Sequence, residues 1–313
     1  MDLERVAPEL RTAAVQASRL SFERWLGRAI VRTAMALMPT SKTAGVAIEK
    51  RRTATTAVRV YRPTARRSNE AVFWIHGGGF VVGRAVQNDD FCGAAARELG
   101  IVVVSVEYRK APGHPFPAAL DDCLAGWDWV VHEAAALGID PTRIAIGGES
   151  AGGGLAASLV QRLHDRPGTQ PAAQWLFCPM LDDRTAARRD LDAVGHLVWT
   201  NRSNRFGWRS YLGMDPGVVT PPAYAAAARR ESLAGLPPAW IGVGDIDLFC
   251  EEDLAYAARL RAAGVAVETD VVPGAPHGFE IWARDSELAR GHLGRARAWL
   301  GAALGPEHAS PVE

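Results

Sequence analysis

Short runs rich in β-branched and aromatic residues alternate with helical stretches along most of this chain. The apolar runs lie at 57–62, 71–75, 101–106, 143–147, 174–178, 240–244 and 267–272. The predicted helices lie at 88–99, 117–137, 151–164, 251–263 and 285–303. Nearly continuous apolar strands separated by helices are typical of a mostly parallel central sheet with helices on both faces, an α/β fold. Ligands of such a sheet bind at the carboxyl ends of its strands.

The size, charge balance and cysteine spacing of the chain limit the kinds of partner and metal that it could bind. The chain has 313 residues, of which 48% are hydrophobic, enough for one large domain or two modest ones. Its 35 Lys and Arg residues balance its 35 Asp and Glu residues, so no overall field attracts nucleic acid or anionic lipid. The four cysteines lie far apart, without a CxxC pair or a histidine in zinc spacing: Cys92, Cys123, Cys178 and Cys250. We therefore expect no metal site, and thiols that stay reduced and buried.

The first residues carry no targeting pattern. MDLERVAPEL lacks the basic-then-apolar order of a secretory signal, and no run of about 18 apolar residues occurs in the sequence. We expect a cytoplasmic protein without a stable membrane anchor.

Residues 21–38 form a predicted amphipathic helix. Arg24, Arg28 and Arg32 line one side. The other side is apolar and comprises Phe22, Trp25, Leu26, Ala29, Ile30, Ala34, Leu37 and Met38. The favoured interpretation is a helix that packs its apolar stripe onto its own protein and leaves its arginines in water, and a membrane-surface helix is the alternative. A second segment, 182–224, fits the alternation poorly and is interpreted as an insertion.

The sequence GESAG at 148–152 stands between an apolar run and a predicted helix. In this GxSxG pattern, Gly148 and Gly152 allow a sharp strand-to-helix turn that leaves no room for a Cβ. Such a turn lifts the Ser150 hydroxyl clear of the sheet, and the helix amino terminus offers free N–H groups to a developing oxyanion. A structural glycine turn or a phosphate-cradling loop is the alternative interpretation.

The glycine-rich stretch FWIHGGGFVVG at 73–83 follows another apolar run. Consecutive glycines let amides approach a ligand closely, so Gly78 and Gly79 are candidate donors to an oxyanion, with Ala151 as a third. A dinucleotide-binding loop is the rival interpretation, but the GxGxxG spacing and the acid about 20 residues later are not matched. We expect His76 to orient the loop and to take no part in the chemistry.

A serine nucleophile needs a general base, and that base needs an acceptor that sets its tautomer. His277 lies in the Pro/Gly-rich loop PGAPHGF, and Asp247 lies in GDIDLF at the end of a predicted strand. Asp245 is the competing acid, and Asp247 is favoured because it sits later in the loop. Six other histidines lie on predicted helices, loops or the tail without a matching acid, and we expect them to face solvent or to pack: His114, His132, His164, His196, His292 and His308.

Taken in order, five motifs resemble one known family. They are HGGG at 76–79, EYRKAPGHPFPAALDD at 107–122, GESAGG at 148–153, DLF at 247–249 and HGF at 277–279. The set is similar to the bacterial hormone-sensitive-lipase family (family IV) of carboxylesterases, within the α/β-hydrolase superfamily. The likeness covers roughly 55–300.

The resemblance implies a catalytic triad of Ser150, Asp247 and His277. It implies an oxyanion hole made by the backbone amides of Gly78, Gly79 and Ala151. The motif residues that support the site would be His76, Gly77, Gly148, Glu149 and Gly152. Two positions depart from the family pattern, because Glu149 replaces the commoner Asp or Thr and Gly113 replaces a Glu.

The resemblance also implies a helical cap over the site. We expect cap helices within 1–54 and an α/β-hydrolase catalytic domain at 55–313, with the cap insertion at about 182–224. The candidate pocket residues are apolar or aromatic: Phe22, Trp25, Trp199, Phe206, Trp208 and Tyr211. They favour an uncharged ester with a short or medium acyl chain.

The predicted reaction is acyl transfer from a small-molecule ester to water, which needs no cofactor. An amidase, peptidase or acyltransferase that uses the same triad is the alternative, and a non-catalytic binding protein is a weaker one. The strand at 267–272 either pairs across a homodimer or is an edge covered by the last helix.

Overall fold

The structure, a computed structural model, describes residues 2–18 and 25–305. Within those ranges the chain forms eight β-strands. They are β1 Val46–Arg52, β2 Ala57–Pro63, β3 Ala71–Ile75, β4 Val102–Val106, β5 Ile144–Glu149, β6 Ala173–Phe177, β7 Ala239–Gly244 and β8 Val267–Val272.

The same ranges contain eleven α-helices, most of which follow the strands in alternation. They are α1 Arg11–Ala17, α2 Trp25–Ala36, α3 Asp89–Leu99, α4 Ala118–His132, α5 Ala134–Leu137, α6 Ala151–His164, α7 Asp183–Ala187, α8 Asn201–Leu212, α9 Cys250–Ala262, α10 Phe279–Trp282 and α11 Glu287–Leu304. Short 3₁₀ turns occupy Leu3–Arg5, Pro8–Leu10, Ala85–Asn88, Pro141–Arg143, Arg189–Asp192 and Ala227–Arg229.

The strands form one sheet in the order β1-β2-β4-β3-β5-β6-β7-β8. The pairs β1·β2 and β2·β4 are antiparallel, and every other pair is parallel. The carboxyl ends of β3, β5, β6, β7 and β8 therefore lie at one edge of the sheet. The prediction of a mostly parallel α/β sheet is confirmed.

The first strand differs from the sequence prediction. Val46–Arg52 was assigned to the cap region at 1–54, yet it pairs with β2 along its whole length. Its sequence VAIEKRR is charged and none of its residues is fully buried. An edge strand with one solvated face lacks the continuous apolar run that identifies buried strands, which is why the sequence pattern missed it. The sheet thus begins before the boundary predicted at residue 55.

Side chains of β3 alternate between two cores, one on each face of the sheet. Phe73 joins the core under α4, where it meets Trp127 edge-on at 6.1 Å between ring centroids. Trp74 points to the other face and packs against Phe91 of α3 at 4.4 Å, in a cluster that includes Leu300 of α11. Each such aromatic side chain contributes about 1.5–3 kcal/mol when buried. This burial on both faces makes β3 and its neighbours a rigid base for the loops that follow them.

The helix predicted at 21–38 is present as α2, but a different side of it faces the protein. Ile30 and Leu37, both in the predicted apolar stripe, are 66% and 78% exposed. Val31 is buried instead, and Met35 packs against the same core. The prediction that the stripe packs onto the protein is therefore wrong for all of its members whose side chains are described, which are exposed: Ala29, Ile30, Ala34, Leu37 and Met38.

Arginine contacts explain this orientation of α2. The Arg32 guanidinium donates to the carbonyl oxygens of Val81 and Ala111, at 2.7 Å and 2.9 Å from Nη2. The Arg28 guanidinium lies 4.5 Å from the centroid of the Phe206 ring. A guanidinium supplies several donors in a fixed plane and stacks on aromatic rings. The two arginines therefore bind the loop carbonyls and the Phe206 ring. With the arginine side turned inward, the opposite side is left in solvent.

The N-terminal segment and the insertion meet over the carboxyl edge of the sheet. The Ala7 N–H donates to the carbonyl of Gly274 at 2.9 Å, three residues before His277. The Val198 N–H donates to Ser18 Oγ at 2.9 Å, which joins the N-terminal segment to the insertion at 182–224. The two segments that did not fit the strand–helix alternation therefore lie together.

Strand β8 lies at the other end of the sheet and pairs with β7 alone among the described residues. Val271 is 37% exposed, and α11 packs against both β7 and β8. A homodimer that pairs along this strand stays a prediction. Of the helices in the described ranges, none combines the length and the apolarity that a membrane crossing requires.

A buried carboxyl group lies in the first turn of α9 without a hydrogen-bond partner in the described part of the chain. Both carboxyl oxygens of Asp253 are shielded from solvent and unpaired. Burial, followed by the negative neighbours Glu252 and Asp247, raises the pKa of Asp253 well above its ordinary value. The folded side chain therefore holds its proton to a higher pH than the unfolded one, which ionises near pH 4.

We expect the variant Asp253→Asn to gain stability relative to wild type as the pH rises from 5 to 8. The folded state holds a proton that the unfolded state releases, so the wild-type free energy of unfolding falls with pH across this window, and an amide does not titrate. The advantage of the variant should therefore be larger at pH 8 than at pH 5. Urea unfolding at both pH values measures it, with the exposed Asp285→Asn as control. Equal differences at the two pH values would contradict the assignment.

Candidate active site

The loop between β5 and α6 places Ser150 at the carboxyl edge of the sheet. Ser150 has φ 52° and ψ −122°, a strained conformation for a residue with a side chain. A Cβ on Gly148 would lie 2.4 Å from the Gly152 carbonyl oxygen, and a Cβ on Gly152 would lie 2.2 Å from that of Ile75. The two glycines therefore satisfy a close approach of backbones, as the GxSxG pattern predicts.

Three side chains that are far apart in sequence meet at this edge. His277 Nε2 lies 2.9 Å from Ser150 Oγ, and His277 Nδ1 lies 2.8 Å from Asp247 Oδ2. All three residues are buried. Because a carboxylate only accepts hydrogen bonds, Nδ1 carries the proton and Nε2 accepts from the serine hydroxyl. The residues predicted as nucleophile, acid and base are thus joined in one hydrogen-bonded chain.

The choice between the two candidate acids is visible in the β7–α9 loop. Asp247 Oδ1 accepts from the Phe249 N–H at 2.9 Å, which orients the other carboxylate oxygen toward His277. Asp245 Oδ1 instead accepts from the Gly274 N–H at 2.7 Å. Asp245 therefore holds the neighbouring loop in place, and Asp247 alone of the two reaches the imidazole.

The surroundings of His277 stabilise its protonated form. Burial lowers the pKa of His277, but the charge and hydrogen bond of Asp247 outweigh it, with smaller contributions from Glu280 and Glu149. The net result is a pKa above the ordinary value of 6.5. An imidazole that gains a proton readily is suited to general-base work. The Trp282 indole also donates to the His277 carbonyl at 2.8 Å, which fixes the backbone of this loop.

The HGGG loop after β3 lies beside Ser150. Gly78 and Gly79 line the same cavity as the serine, and Ala151 is the first residue of α6. His76 is fully buried, and its Nδ1 lies 2.7 Å from the Gly77 carbonyl oxygen. Burial lowers the pKa of His76 well below its ordinary value, so the ring is neutral and its Nδ1–H donates to that carbonyl. His76 is thus bonded to the loop, and its role in orienting that loop stays a prediction.

A cavity of about 160 Å³ opens between these groups. Its walls are formed by Gly77, Gly78, Gly79, Glu149, Ser150, Cys178, Val198, Trp199, His277, Gly278, Ile281 and Trp282. For scale, an engineered protein cavity of about 150 Å³ holds one benzene molecule. The space beside the serine hydroxyl therefore suits a small acyl group.

Of the six pocket residues predicted from sequence, Trp199 lines this cavity. Trp208 and Tyr211 are buried in the core, where both rings contact Phe80. The ring centroid of Phe80 lies 4.1 Å from that of Tyr211 and 5.2 Å from that of Trp208. Phe206 lies on the same helix, beneath the Arg28 guanidinium. Trp208, Tyr211 and Leu212 are spaced by three and four residues along α8, so they share its inward face and pack as core.

The two remaining pocket candidates lie in the N-terminal region. Phe22 is outside the described residues, and Trp25 begins α2. Cys178, Val198, Ile281 and Trp282 were not singled out from the sequence although they line the cavity. A GxSxG signal marks the nucleophile but carries no information about side chains that loops bring in from other parts of the chain.

One further histidine differs from its prediction. His292 was expected to lack a matching acid, yet its Nδ1 lies 2.8 Å from Asp270 Oδ2 and the ring is buried. Asp270 also accepts from Arg295. This cluster joins α11 to β8. Of the other histidines expected to lack an acid, His308 lies outside the described residues.

The departure at Gly113 has a simple structural setting. Gly113 is exposed, and a Cβ there would meet nothing closer than the Lys110 carbonyl oxygen at 3.8 Å. The missing Glu side chain therefore leaves no hole in the core. Lys110, three residues earlier, is partly buried, and this burial lowers the pKa of Lys110 to about 8.

Within the described residues, one cluster offers three side chains of metal-ligand type. The ligand atoms of Cys178, Asp247 and His277 lie within 4.8 Å of one another. The hydrogen bond between Asp247 and His277 already uses two of them. Burial raises the pKa of Cys178 well above its ordinary value, so its thiol stays protonated and is a poor ligand. The arrangement fits a hydrogen-bonded triad better than a metal centre.

We expect Asp247→Asn to lower the pKa of the His277 imidazole by about one unit or more, because it removes the negative charge that favours the imidazolium. The matched variant Asp245→Asn should leave that pKa within a few tenths of a unit, since its carboxylate binds a backbone amide elsewhere. NMR titration of the His277 ring measures both. An equal shift in the two variants would contradict the pairing.

Comparison with known proteins agrees with this geometry. The profile of a family described as having the alpha/beta hydrolase fold matches residues 72–281. The chain is 37% identical to the carboxylic ester hydrolase LipN of Mycobacterium tuberculosis, over 71% of this chain and 60% of LipN. It is 36% identical to the carboxylesterase NlhH of the same species, over 79% of this chain and 78% of NlhH.

Comparison with solved structures also finds an esterase. The crystal structure of esterase LipW from Mycobacterium marinum superimposes with a TM-score of 0.87 and 34% identity, covering 97% of this chain and 98% of that chain. The chain therefore belongs to the hormone-sensitive-lipase-like carboxylesterase family of the α/β-hydrolase fold.

Proposed function

We propose that this protein is a serine carboxylesterase that hydrolyses small, uncharged esters with short acyl chains. The observation that carries the proposal is the hydrogen-bonded chain from Ser150 Oγ through the His277 ring to the Asp247 carboxylate, with distances of 2.9 Å and 2.8 Å. The carboxylesterase relatives LipN and NlhH support the same reaction class. Ester and water are the two substrates, and the mechanism uses no cofactor.

In the first half-reaction, His277 Nε2 takes the proton of Ser150 as its oxygen attacks the ester carbonyl carbon. The negative charge that develops on the carbonyl oxygen is held by the amides of Gly78, Gly79 and Ala151. The imidazolium, stabilised by Asp247, then gives its proton to the leaving alcohol. An acyl group is now bound to Ser150.

In the second half-reaction, a water molecule takes the place of the alcohol. His277 removes a proton from that water, whose oxygen attacks the acyl carbon, and the amides again hold the anion. The carbon–oxygen bond to the serine breaks, the imidazolium returns a proton to Ser150, and the carboxylic acid leaves. Since neutral His277 is the base in both halves, activity should rise with pH through the pKa of that ring.

The cavity walls limit which acyl group fits. Trp199 lies across the HGGG loop so closely that a Cβ on Gly79 would lie 2.1 Å from the indole Cη2 atom. The opposite wall contains Trp282, whose indole is fixed by its hydrogen bond to the His277 loop. With about 160 Å³ between them, the space suits acetyl to butyryl groups.

The thiols support a reducing location. Cys92, Cys123 and Cys178 are buried and Cys250 is partly exposed, and all four are free. Secreted proteins tend to pair their cysteines in disulfides. We place the protein in the cytoplasm on this basis.

Ser150→Ala should lower kcat/KM for p-nitrophenyl butyrate by at least about 10⁴-fold, because it removes the nucleophile while leaving the oxyanion donors. Fluorophosphonate labelling of the wild type should be lost in the variant. Labelling or activity that persists would move the nucleophile to another residue. The corresponding anilide serves as the amide substrate, and we expect its turnover to be far slower than that of the ester.

Trp199→Ala should shift the preferred acyl chain to longer esters. Removing the indole opens the wall beside Gly79, so the ratio of kcat/KM for octanoyl to butyryl p-nitrophenyl esters should rise at least about tenfold. Phe206→Ala is the matched control, because Phe206 belongs to the same cap segment but lies outside the cavity wall. An unchanged ratio in Trp199→Ala, or an equal change in Phe206→Ala, would show that this wall does not set chain length.

A further inference from the structure

The buried Glu149, which precedes Ser150, accepts three hydrogen bonds, one of them from the HGGG loop. Its Oε1 atom accepts from the Gly77 N–H at 3.2 Å, from Gln87 Nε2 at 3.1 Å and from Asn88 Nδ2 at 3.2 Å. The side chain is 6% exposed. A Cβ on Gly77 would lie 3.0 Å from Glu149 Cγ, so the acid packs directly against the loop. None of these contacts is with the groups that carry out proton transfer.

The next peptide group along the loop is held from a different direction. His76 Nδ1–H donates to the Gly77 carbonyl oxygen at 2.7 Å, and His76 Nε2 lies 3.2 Å from the Lys110 ammonium. The Tyr108 hydroxyl donates to the His76 carbonyl at 3.0 Å. Lys110 therefore provides the donor that keeps the ring proton on Nδ1.

These contacts restrain the amide that faces the substrate. The Gly77 carbonyl and the Gly78 N–H belong to one planar peptide group and point in opposite directions. Fixing the carbonyl toward His76 therefore fixes the direction of the Gly78 N–H, and fixing the Gly77 N–H toward Glu149 fixes the plane before it. Two successive peptide planes are held by buried side chains.

We propose that Glu149 is a positioning residue, whose carboxylate oxygen anchors the Gly77 amide so that the Gly78 and Gly79 amides are aligned for the oxyanion. The inference rests on the proposed esterase function and deepens it. It assigns a role to the departure from the family pattern at this position, since the longer side chain of Glu carries its oxygen one methylene further toward the loop than Asp would.

A competing role for Glu149 is purely electrostatic. Its charge is one of the smaller contributions that raise the pKa of His277, and Glu280 contributes in the same direction. The Cys178 thiol donates to Glu280 Oε1 at 3.7 Å, and among the described residues Glu280 makes no side-chain hydrogen bond with the HGGG loop. Glu280 is therefore the matched control, because it shares the field at His277 without holding the loop.

The experiment compares Glu149→Leu, Glu149→Gln and Glu280→Gln with wild type. Leu removes the acceptor, whereas Gln keeps an acceptor oxygen and loses the charge. For p-nitrophenyl butyrate at pH values above the His277 pKa, we expect Glu149→Leu to lower kcat about 10- to 100-fold with KM changed less than about threefold, since the amides act on the transition state. Glu149→Gln should keep kcat within about threefold of wild type, and Glu280→Gln should do the same.

Inhibition by a trifluoromethyl ketone, which forms an oxyanion on the enzyme, gives a second readout. Its Ki should rise in Glu149→Leu by about the same factor as kcat falls, and it should stay near the wild-type value in Glu149→Gln. If Glu149→Leu does not fold, Glu149→Asp replaces it and should show a smaller loss of the same kind. Wild-type kcat in Glu149→Leu, or an equal loss in Glu149→Gln, overturns the positioning role.

This outcome is separable from failure of the esterase proposal. Fluorophosphonate labelling of Ser150 in the wild type tests the nucleophile alone, and it does not depend on Glu149. An enzyme that is labelled and active yet indifferent to Glu149→Leu retains the proposed function and loses the positioning role.

Discussion

A close contact between backbones places Ser150 and the HGGG loop side by side. The first turn of α6 lies against the end of β3 so tightly that a Cβ on Gly152 would meet the carbonyl oxygens of Ile75 and His76 at 2.2 Å and 2.4 Å. Because β3 and β5 are hydrogen-bonded neighbours, the turn that carries Ser150 and the HGGG loop leave the same edge of the sheet. Their separation is therefore set by packing of the main chain and does not depend on flexible side chains.

Several acidic side chains are buried around the Asp247–His277 pair. Asp247 is bonded to the ring, and Glu149, Glu280 and Asp253 are buried nearby in the fold. Burial raises the pKa of Glu149, Glu280 and Asp253, so each of these acids ionises less readily than it would in water. Such groups are costly to stability unless hydrogen bonds compensate. Glu149 accepts three hydrogen bonds that offset the cost of its burial, whereas the Asp253 oxygens have no partner among the described residues.

The sequence predicts most of the sheet and the three groups around Ser150, for a physical reason. Buried parallel strands need continuous apolar runs, and a sharp turn needs glycines at 148 and 152, so both leave marks in the sequence. The edge strand Val46–Arg52 and the inward face of α2 leave weaker marks. A solvated strand carries charges at its outward positions and so lacks a continuous apolar run. The Arg32 side chain binds the carbonyl groups of Val81 and Ala111, which are distant in sequence and leave no local pattern around the helix.

The cavity walls were the least predictable part because they depend on distant segments. Trp199 comes from the insertion and Trp282 follows the His277 loop, and each is placed by contacts made elsewhere in the fold. An aromatic side chain in a cap helix packs as core or as wall according to a rotation of the helix that periodicity alone does not determine. The residues around Ser150 are thus encoded by short motifs, whereas the cavity walls depend on how the insertion and the loops pack. The walls can therefore change while the motifs are kept.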